Sequence, residues 1–139
     1  MAVQQEQSNY GIASHRAMSA QDERTWSVLA HLSMFLNLVT GFLGPVAALV
    51  VWLVYRDRLP RAAFHALQSM WYQIAWLAVL AAGWILTTLL MVVLVGFLLI
   101  PVMIAISALP FVHAGYAAYK VYQGDDYRYR IAANFAERR

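Results

Sequence analysis

The sequence contains no cysteine, which excludes disulfides, thiolate metal sites and cysteine nucleophiles. Charged residues are also scarce: they form 12% of the chain, against about 25% in typical soluble domains. One long segment has no charged residue at all: residues 62–119 are 58 consecutive positions without Asp, Glu, Lys or Arg. An Arg, Lys or Asp at the centre of a bilayer costs roughly 2.5–3.5 kcal/mol on insertion scales. The missing charge therefore predicts that this part of the chain lies in a membrane.

The lengths of the charge-free runs predict an all-α membrane protein with four transmembrane helices. Residues 62–119 suffice for two helices of about 20 residues and a tight turn. The second run, residues 25–55, would exceed a hydrocarbon core of about 30 Å as one straight helix. A break between Gly41 and Pro45 divides it into a short hairpin of helices at about 26–40 and 44–55.

The placement of basic residues predicts the orientation and three segments. All ten Lys and Arg lie outside the charge-free runs, and four helices bring them to one side. By the positive-inside rule both termini are then cytoplasmic, in a bacterial cytoplasmic membrane. Residues 1–24 are predicted as a flexible polar tail, with Ser19 or Asp22 capping a helix that begins just before Trp26. Residues 25–123 form the four-helix membrane domain, and residues 124–139 form a basic, aromatic interfacial tail.

A polar stripe marks one face of the third helix. Its members recur at helical spacing and are His65, Gln68, Ser69, Tyr72 and Trp76. Polar groups within an apolar helix should face protein or water rather than lipid. The stripe is therefore either a surface for a partner or a permeation path, or a set of interhelical hydrogen bonds near the headgroups at about 0.6–2 kcal/mol each.

Single histidines are weak candidates for a cofactor site. His31 and His113 lie in or beside apolar helices, where an imidazole can ligate haem or a chlorophyll magnesium. No second histidine follows at i+4, and the spans hold no carboxylate that would orient a ring. A neutral histidine bonded to a carbonyl or hydroxyl is the alternative, so we predict no cofactor and keep pigment or haem as the exception.

The basic residues beside the apolar runs are predicted to bind lipid headgroups. Each basic group near an anionic surface contributes about 1 kcal/mol. Because they lie against a membrane, lipid is favoured over nucleic acid. The residues are Arg56, Arg58, Arg61, Lys120, Arg128 and Arg130.

Short motifs in a fixed order resemble a family of small prokaryotic membrane proteins. They are Thr25-Trp26, His31-Leu32, Gly44-Pro45, Trp52-Leu53, Arg61, His65-Ala66, Gln68, Ala117 to Lys120, Gly124 and Tyr127 to Tyr129. That family is catalogued as a domain of unknown function and is regarded as similar to the small subunit of the chloroplast inner-envelope translocon. The resemblance implies four membrane helices and cytoplasmic termini. Arg130 stands where the family's proline is expected.

The sequence predicts a protein that is not an enzyme. The spans hold no carboxylate pair, and the chain has no glycine-rich phosphate loop, HExxH or GxSxG motif. We expect an accessory, assembly or stabilising subunit of a larger membrane complex, with lipid and other subunits or a second copy as partners. The alternatives are a component of a protein-translocation or small-solute channel and a subunit that binds haem or chlorophyll through histidine.

Overall fold

The computed structural model describes the backbone of residues 1–138 and the side chains of these residues except 14–18. Arg16 and Arg139, two of the predicted cytoplasmic basic residues, therefore lie outside the described side chains. Within residues 1–138 all regular secondary structure is helical. The α-helices are α1 (Ala2–Leu32), α2 (Leu36–Thr40), α3 (Leu43–Tyr55), α4 (Pro60–Leu90), α5 (Val95–Tyr122) and α6 (Arg130–Glu137).

The first helix begins earlier than predicted. We expected it to begin just before Trp26, but α1 begins at Ala2 and passes through Ser19 and Asp22 without a cap. The segment before Trp26 contains no proline and is rich in Gln, Glu and Ala, which all tolerate a helix. Residues 1–13 are exposed throughout. The flexibility of residues 1–24 remains a prediction.

The predicted short hairpin is present, and its break is narrower than expected. Only Gly41 and Phe42 lie outside the helices, and Pro45 belongs to the first turn of α3. Gly41 has a φ of 82°, a left-handed conformation that glycine adopts without steric cost. The hydroxyl of Thr40 accepts a hydrogen bond from the N–H of Leu43 at 3.1 Å, which satisfies one free amide at the start of α3.

Two helices are long and apolar enough to cross a membrane. At 1.5 Å per residue, the 31 residues of α4 cover about 46 Å and the 28 residues of α5 about 42 Å. The 13 residues of α3 reach only about 20 Å, less than a hydrocarbon core of about 30 Å. The two predicted spans after residue 60 are therefore present as long apolar helices. Crossing by the hairpin and the side of each terminus remain predictions.

The turn between α4 and α5 is tight and uncharged. A 3₁₀ turn, Met91–Val93, ends at Leu94, which has a φ of 66° in the left-handed region. Gly96 follows, and a Cβ at this position would overlap the backbone of Met91 and Thr87. Glycine thus allows α5 to begin directly against the end of α4, which provides the tight turn predicted between these two helices.

The interior of the fold lies at the charged end of the molecule. The end of α1, the helix α3 and the first half of α4 pack together, and α6 returns to cover α4. Beyond this region α4 and α5 have only each other, and their large apolar side chains, such as Leu89 and Leu98, are mostly exposed. The fold therefore combines a packed polar end with an apolar two-helix extension.

Candidate interaction site at the charged end

The predicted polar stripe faces the protein interior. His65 and Gln68 are fully buried, and Ser69 and Tyr72 are almost fully buried. Trp76 is half-buried and meets Tyr72 edge to face, with ring centroids 6.3 Å apart. The stripe therefore contacts α1, α5 and the C-terminal segment rather than an open surface.

Two histidines that are distant in sequence meet between α1 and α4. The Nε2 of His31 lies 3.2 Å from the Nδ1 of His65, and both rings are fully buried. The other ring nitrogen of His65 faces a carboxylate oxygen of Asp126 at 3.5 Å. Arg61 binds the same oxygen of Asp126 at 2.8 Å. This chain of contacts connects α1, α4 and the segment after α5.

Gln68 attaches the C-terminal segment to α4. Its side-chain N–H donates to the carbonyl of Tyr127, and its side-chain oxygen accepts from the N–H of Tyr129, both at 3.1 Å. The side-chain amide of Gln68 thus supplies the hydrogen-bond partners that these two backbone groups would otherwise lack. No sequence pattern indicated this pairing, because the residues are about 60 positions apart.

Tyrosines and His113 form an aromatic cluster under this segment. Tyr72 and Tyr129 stack with centroids 3.9 Å apart and ring planes at 10°. The Nδ1 of His113 meets the hydroxyl of Tyr72 at 2.9 Å, and its Nε2 meets the hydroxyl of Tyr127. Burial raises the pKa of Tyr127 and raises that of Tyr129 further. Both phenols therefore remain neutral at physiological pH.

A second polar network joins the hairpin to α4, and its central residue was missed by sequence reasoning. Gln73 is fully buried, donates to the hydroxyls of Ser33 at 2.9 Å and Ser69 at 3.0 Å, and accepts from the amide of Asn37 at 3.3 Å. Asn37 in turn accepts from the N–H of Gly44 at 2.8 Å. The signal was available, since Gln73 follows Ser69 by four residues on the same helical face.

The basic residues predicted to bind lipid differ in what they contact. Arg56 lies over the ring of Trp52 at 5.4 Å and near Asp57 at 3.6 Å, while Arg58 is exposed. Lys120 pairs with Asp125 at 3.2 Å.

The last two arginines of this predicted set, Arg128 and Arg130, lie in the C-terminal segment. Arg128 pairs with Glu137 at 2.7 Å and lies over the ring of Phe64. Arg130 is exposed, and no acidic side chain pairs with it within the described part of the chain. Arg130 therefore provides a guanidinium that no carboxylate of the described side chains neutralises.

A groove of about 710 Å³ lies beside this cluster. The first half of α4, His113 of α5 and the C-terminal segment form its walls. Its lining is mainly aromatic and aliphatic and includes Arg128 and Arg130. This volume falls within the range of small-molecule and cofactor sites.

The two candidate cofactor ligands are both engaged within the protein. Each ring nitrogen of His113 has a tyrosine hydroxyl as its partner. The Nε2 of His31 faces His65, and its Nδ1 is buried without a partner. Among the described residues, no group of three or more His, Asp or Glu side chains is arranged to hold a metal ion. The geometry around both histidines is that of hydrogen-bonded interior side chains.

Comparison with known proteins corrects the resemblance drawn from the short motifs. The family whose sequence profile matches is the magnetosome magnetite crystal formation protein family (MamF/MmsF), over residues 22–136. The expected membership of the translocon-related family of unknown function is therefore wrong. Several motif residues, including His31, Gly44 and Gln68, make packing and hydrogen-bond contacts in this fold, so their spacing reflects its architecture.

The family match covers most of the chain, from the middle of α1 to the end of α6. No curated protein and no solved structure matches the chain. The description of the family names the formation of magnetite crystals at the magnetosome and names no catalysed reaction. The chain belongs to the magnetosome magnetite crystal formation protein family.

Proposed function

We propose that this chain is a non-enzymatic accessory subunit of the magnetosome membrane, which supports crystal formation through contacts with lipid and with other membrane proteins. Membership of the family supports the location and the process. The chain's own residues support the accessory role, and they divide into a polar interior and an apolar exterior.

The proposal depends on one observation: the polar side chains inside the fold form hydrogen bonds with other groups of the protein. The imidazoles of His65 and His113 and the amides of Gln68 and Gln73 bond to other protein groups at the charged end. Such interior hydrogen bonds specify a unique packing and leave few groups for a substrate. An enzyme would instead need a nucleophile or acid–base pair within reach of a substrate.

The exterior supports contact with lipid and membrane proteins. Large side chains along α4 and α5 are exposed, including Ile85 at 62% and Leu98 at 76%. Exposed apolar surface on this scale marks interfaces with proteins or membranes. The short hairpin adds Val39 at 89% exposure. Lipid can cover these side chains, and so can an apolar helix of another subunit.

We propose that the charged end and both termini face the cytoplasm and that the turn between α4 and α5 faces the crystal. Residues 91–96 at that turn carry no charge. Ions and oxide surfaces are bound by charged or polar oxygen ligands. Residues 91–96 have no side chain of this kind, so we propose that the chain affects the crystal through a partner that carries such ligands.

A conducting path through a single copy receives less support. Ser69 of the polar stripe, together with Ser33 and Asn37 of the hairpin, bonds to Gln73 or to backbone groups in the interior. Oligomers would have to supply the path.

Isolation of the tagged chain from a magnetite-forming bacterium tests the accessory role. After crosslinking in intact cells and extraction in mild detergent, we expect a larger membrane protein to be recovered with it in a fixed ratio. A tagged membrane protein of similar size provides the control for non-specific capture. Deletion should alter the size distribution of the crystals in electron micrographs. Recovery as a free monomer after crosslinking, with unchanged crystals on deletion, would contradict the proposal.

A further inference from the structure

The groove beside the C-terminal segment combines an apolar lining with a positive charge. Trp71 and Phe135 form one wall, with ring centroids 5.8 Å apart. Trp76 and Val79 continue the lining along α4. From residue 71 to residue 79 the helix rises about 12 Å, so the groove runs lengthwise along α4. Val79 is 57% exposed, which opens this end of the groove toward the apolar part of the molecule.

Two cationic side chains, Arg128 and Arg130, also line the groove. Glu137 accepts a hydrogen bond from Arg128 at 2.7 Å and so offsets its charge. Arg130 is exposed without an acidic partner among the described side chains. It lies in the first turn of α6, where no side chain caps the helix and where a helix dipole favours negative charge. Arg130 therefore gives the groove a positive charge that no described carboxylate offsets.

Helix α6 has the composition of a helix in a membrane interface. Its buried side is formed by Ala132, Ala133 and Ala136, which face α4. Ile131 and Phe135 are exposed on the same short helix as Arg130, and Arg138 follows this helix directly. Short helices with apolar and basic faces typically lie in the interface of a membrane. With α6 and the charged loop before α4 at the interface, Val79 lies deeper in the bilayer than Trp71, because α4 runs from that loop into its apolar half.

We infer that this groove binds one anionic phospholipid, with an acyl chain along Trp71, Trp76 and Val79 and its phosphate against Arg130. The inference goes beyond the accessory role and depends only on placement in a membrane. A basic pocket against membrane helices is a common arrangement for anionic headgroups. The channel supplies the apolar contact that a soluble phosphate compound would not use.

An apolar helix from a partner fits the groove less well. Such a helix would cover Arg130 and remove water from its guanidinium without supplying an anion. A buried charge without a partner is strongly destabilising. A phospholipid supplies the apolar chain and the anion in one molecule.

Native mass spectrometry of the full chain tests the site. The chain is released from nanodiscs that contain equal amounts of phosphatidylglycerol and phosphatidylcholine with identical acyl chains. We expect one phosphatidylglycerol to be retained in preference to phosphatidylcholine. Arg130→Gln should reduce this preference about fivefold, the value of one basic group at an anionic surface. Arg24→Gln is the matched control, because Arg24 is an exposed arginine of α1 that does not line the groove; it should leave the preference unchanged.

A second pair of variants tests the acyl channel. Val79→Trp fills the groove and should abolish retention of the lipid, whereas Val102→Trp, at a residue of similar exposure outside the groove, should not. Circular dichroism of each variant confirms that helix content is retained. Displacement of the lipid by excess glycerol phosphate would show a headgroup site without a channel and would overturn the inference. Equal retention of both lipids, equal effects of the two arginine variants, or a lipid-free dimer would also overturn it.

Discussion

The side-chain oxygen of Gln68 accepts a hydrogen bond from the backbone N–H of Tyr129 at 3.1 Å, across 61 residues of sequence. The same side chain donates to the carbonyl of Tyr127. One glutamine of a long apolar helix thus holds the segment that connects α5 to α6. Because α6 forms a wall of the groove, the position of the lipid site depends on this contact.

Gln68→Leu should release the C-terminal segment from α4. The change leaves the Tyr129 N–H and the Tyr127 carbonyl without partners, at a cost of about 1–3 kcal/mol for each group that stays buried. Hydrogen–deuterium exchange of residues 127–137 should become faster by at least tenfold. Gln123→Leu removes an amide at an exposed position and serves as the control. Unchanged exchange in the Gln68 variant would contradict the role of this contact.

Removal of two tyrosine hydroxyls should have opposite effects on stability. Tyr127→Phe removes a hydroxyl that bonds to His113 and should lower the free energy of unfolding by about 1 kcal/mol. The hydroxyl of Tyr129 is buried without a partner, so Tyr129→Phe should be neutral or stabilising. Unfolding in detergent with increasing denaturant measures both values. Equal losses in the two variants would show that the hydroxyl of Tyr129 has a partner in solution.

Alkaline pH should release the C-terminal segment. Burial, followed by the neighbouring phenols Tyr72 and Tyr127, raises the pKa of Tyr129 above its ordinary value of 10.0. Above pH 10 the released segment loses this proton while the packed segment keeps it, so the packed state loses stability as the pH rises. Exchange of residues 127–137 measured between pH 9 and pH 11, corrected for intrinsic rates, should show the release. Tyr129→Phe should shift the transition to higher pH, and an identical transition in this variant would contradict the assignment.

Gly44→Ala should disrupt the hairpin. A Cβ at this position would overlap the side chains of Asn37 and Gln73, which bond to each other. Overpacking of this kind costs about 1–3 kcal/mol. Gly115→Ala is the control, because a Cβ there meets only an ordinary contact with Phe35 at 3.8 Å. The melting temperature in detergent should fall for the first variant and not for the second. A fall of equal size in both would show that overlap with Asn37 and Gln73 is not the cause.

Single cysteines should report the orientation, since the natural chain has none. Cysteines added at either terminus should react with an impermeant maleimide from the same side of sealed vesicles. Val92→Cys, at the turn before α5 where the side chain is 86% exposed, should react only from the other side. Charge placement is the reason for this expectation. Labelling of the two termini from opposite sides would contradict the proposed orientation.

The long helices could be predicted from sequence, and most of the site could not. The absence of charged residues from residues 62–119 predicted two long apolar helices, and Gly41 and Pro45 predicted the break in the hairpin. The beginning of α1 was placed too late, because a polar composition was interpreted as a flexible tail although it also tolerates a helix. Gln73 could have been found from its helical spacing to Ser69. Asp126 gave no signal, because its contact with His65 depends on the return of the chain after α5.

The sequence by itself determined where the chain can meet lipid, because a charge in hydrocarbon costs more than any local packing returns. It also determined which side chains lie together on one face of a helix, because residues three or four positions apart share a face. Only the tertiary structure decided that His31 meets His65, that Gln68 holds residues 127–129 and that α6 closes a groove beside Arg130. These contacts join residues that are 34 to 61 positions apart, and their pairing depends on the order in which helices pack, which no local pattern encodes.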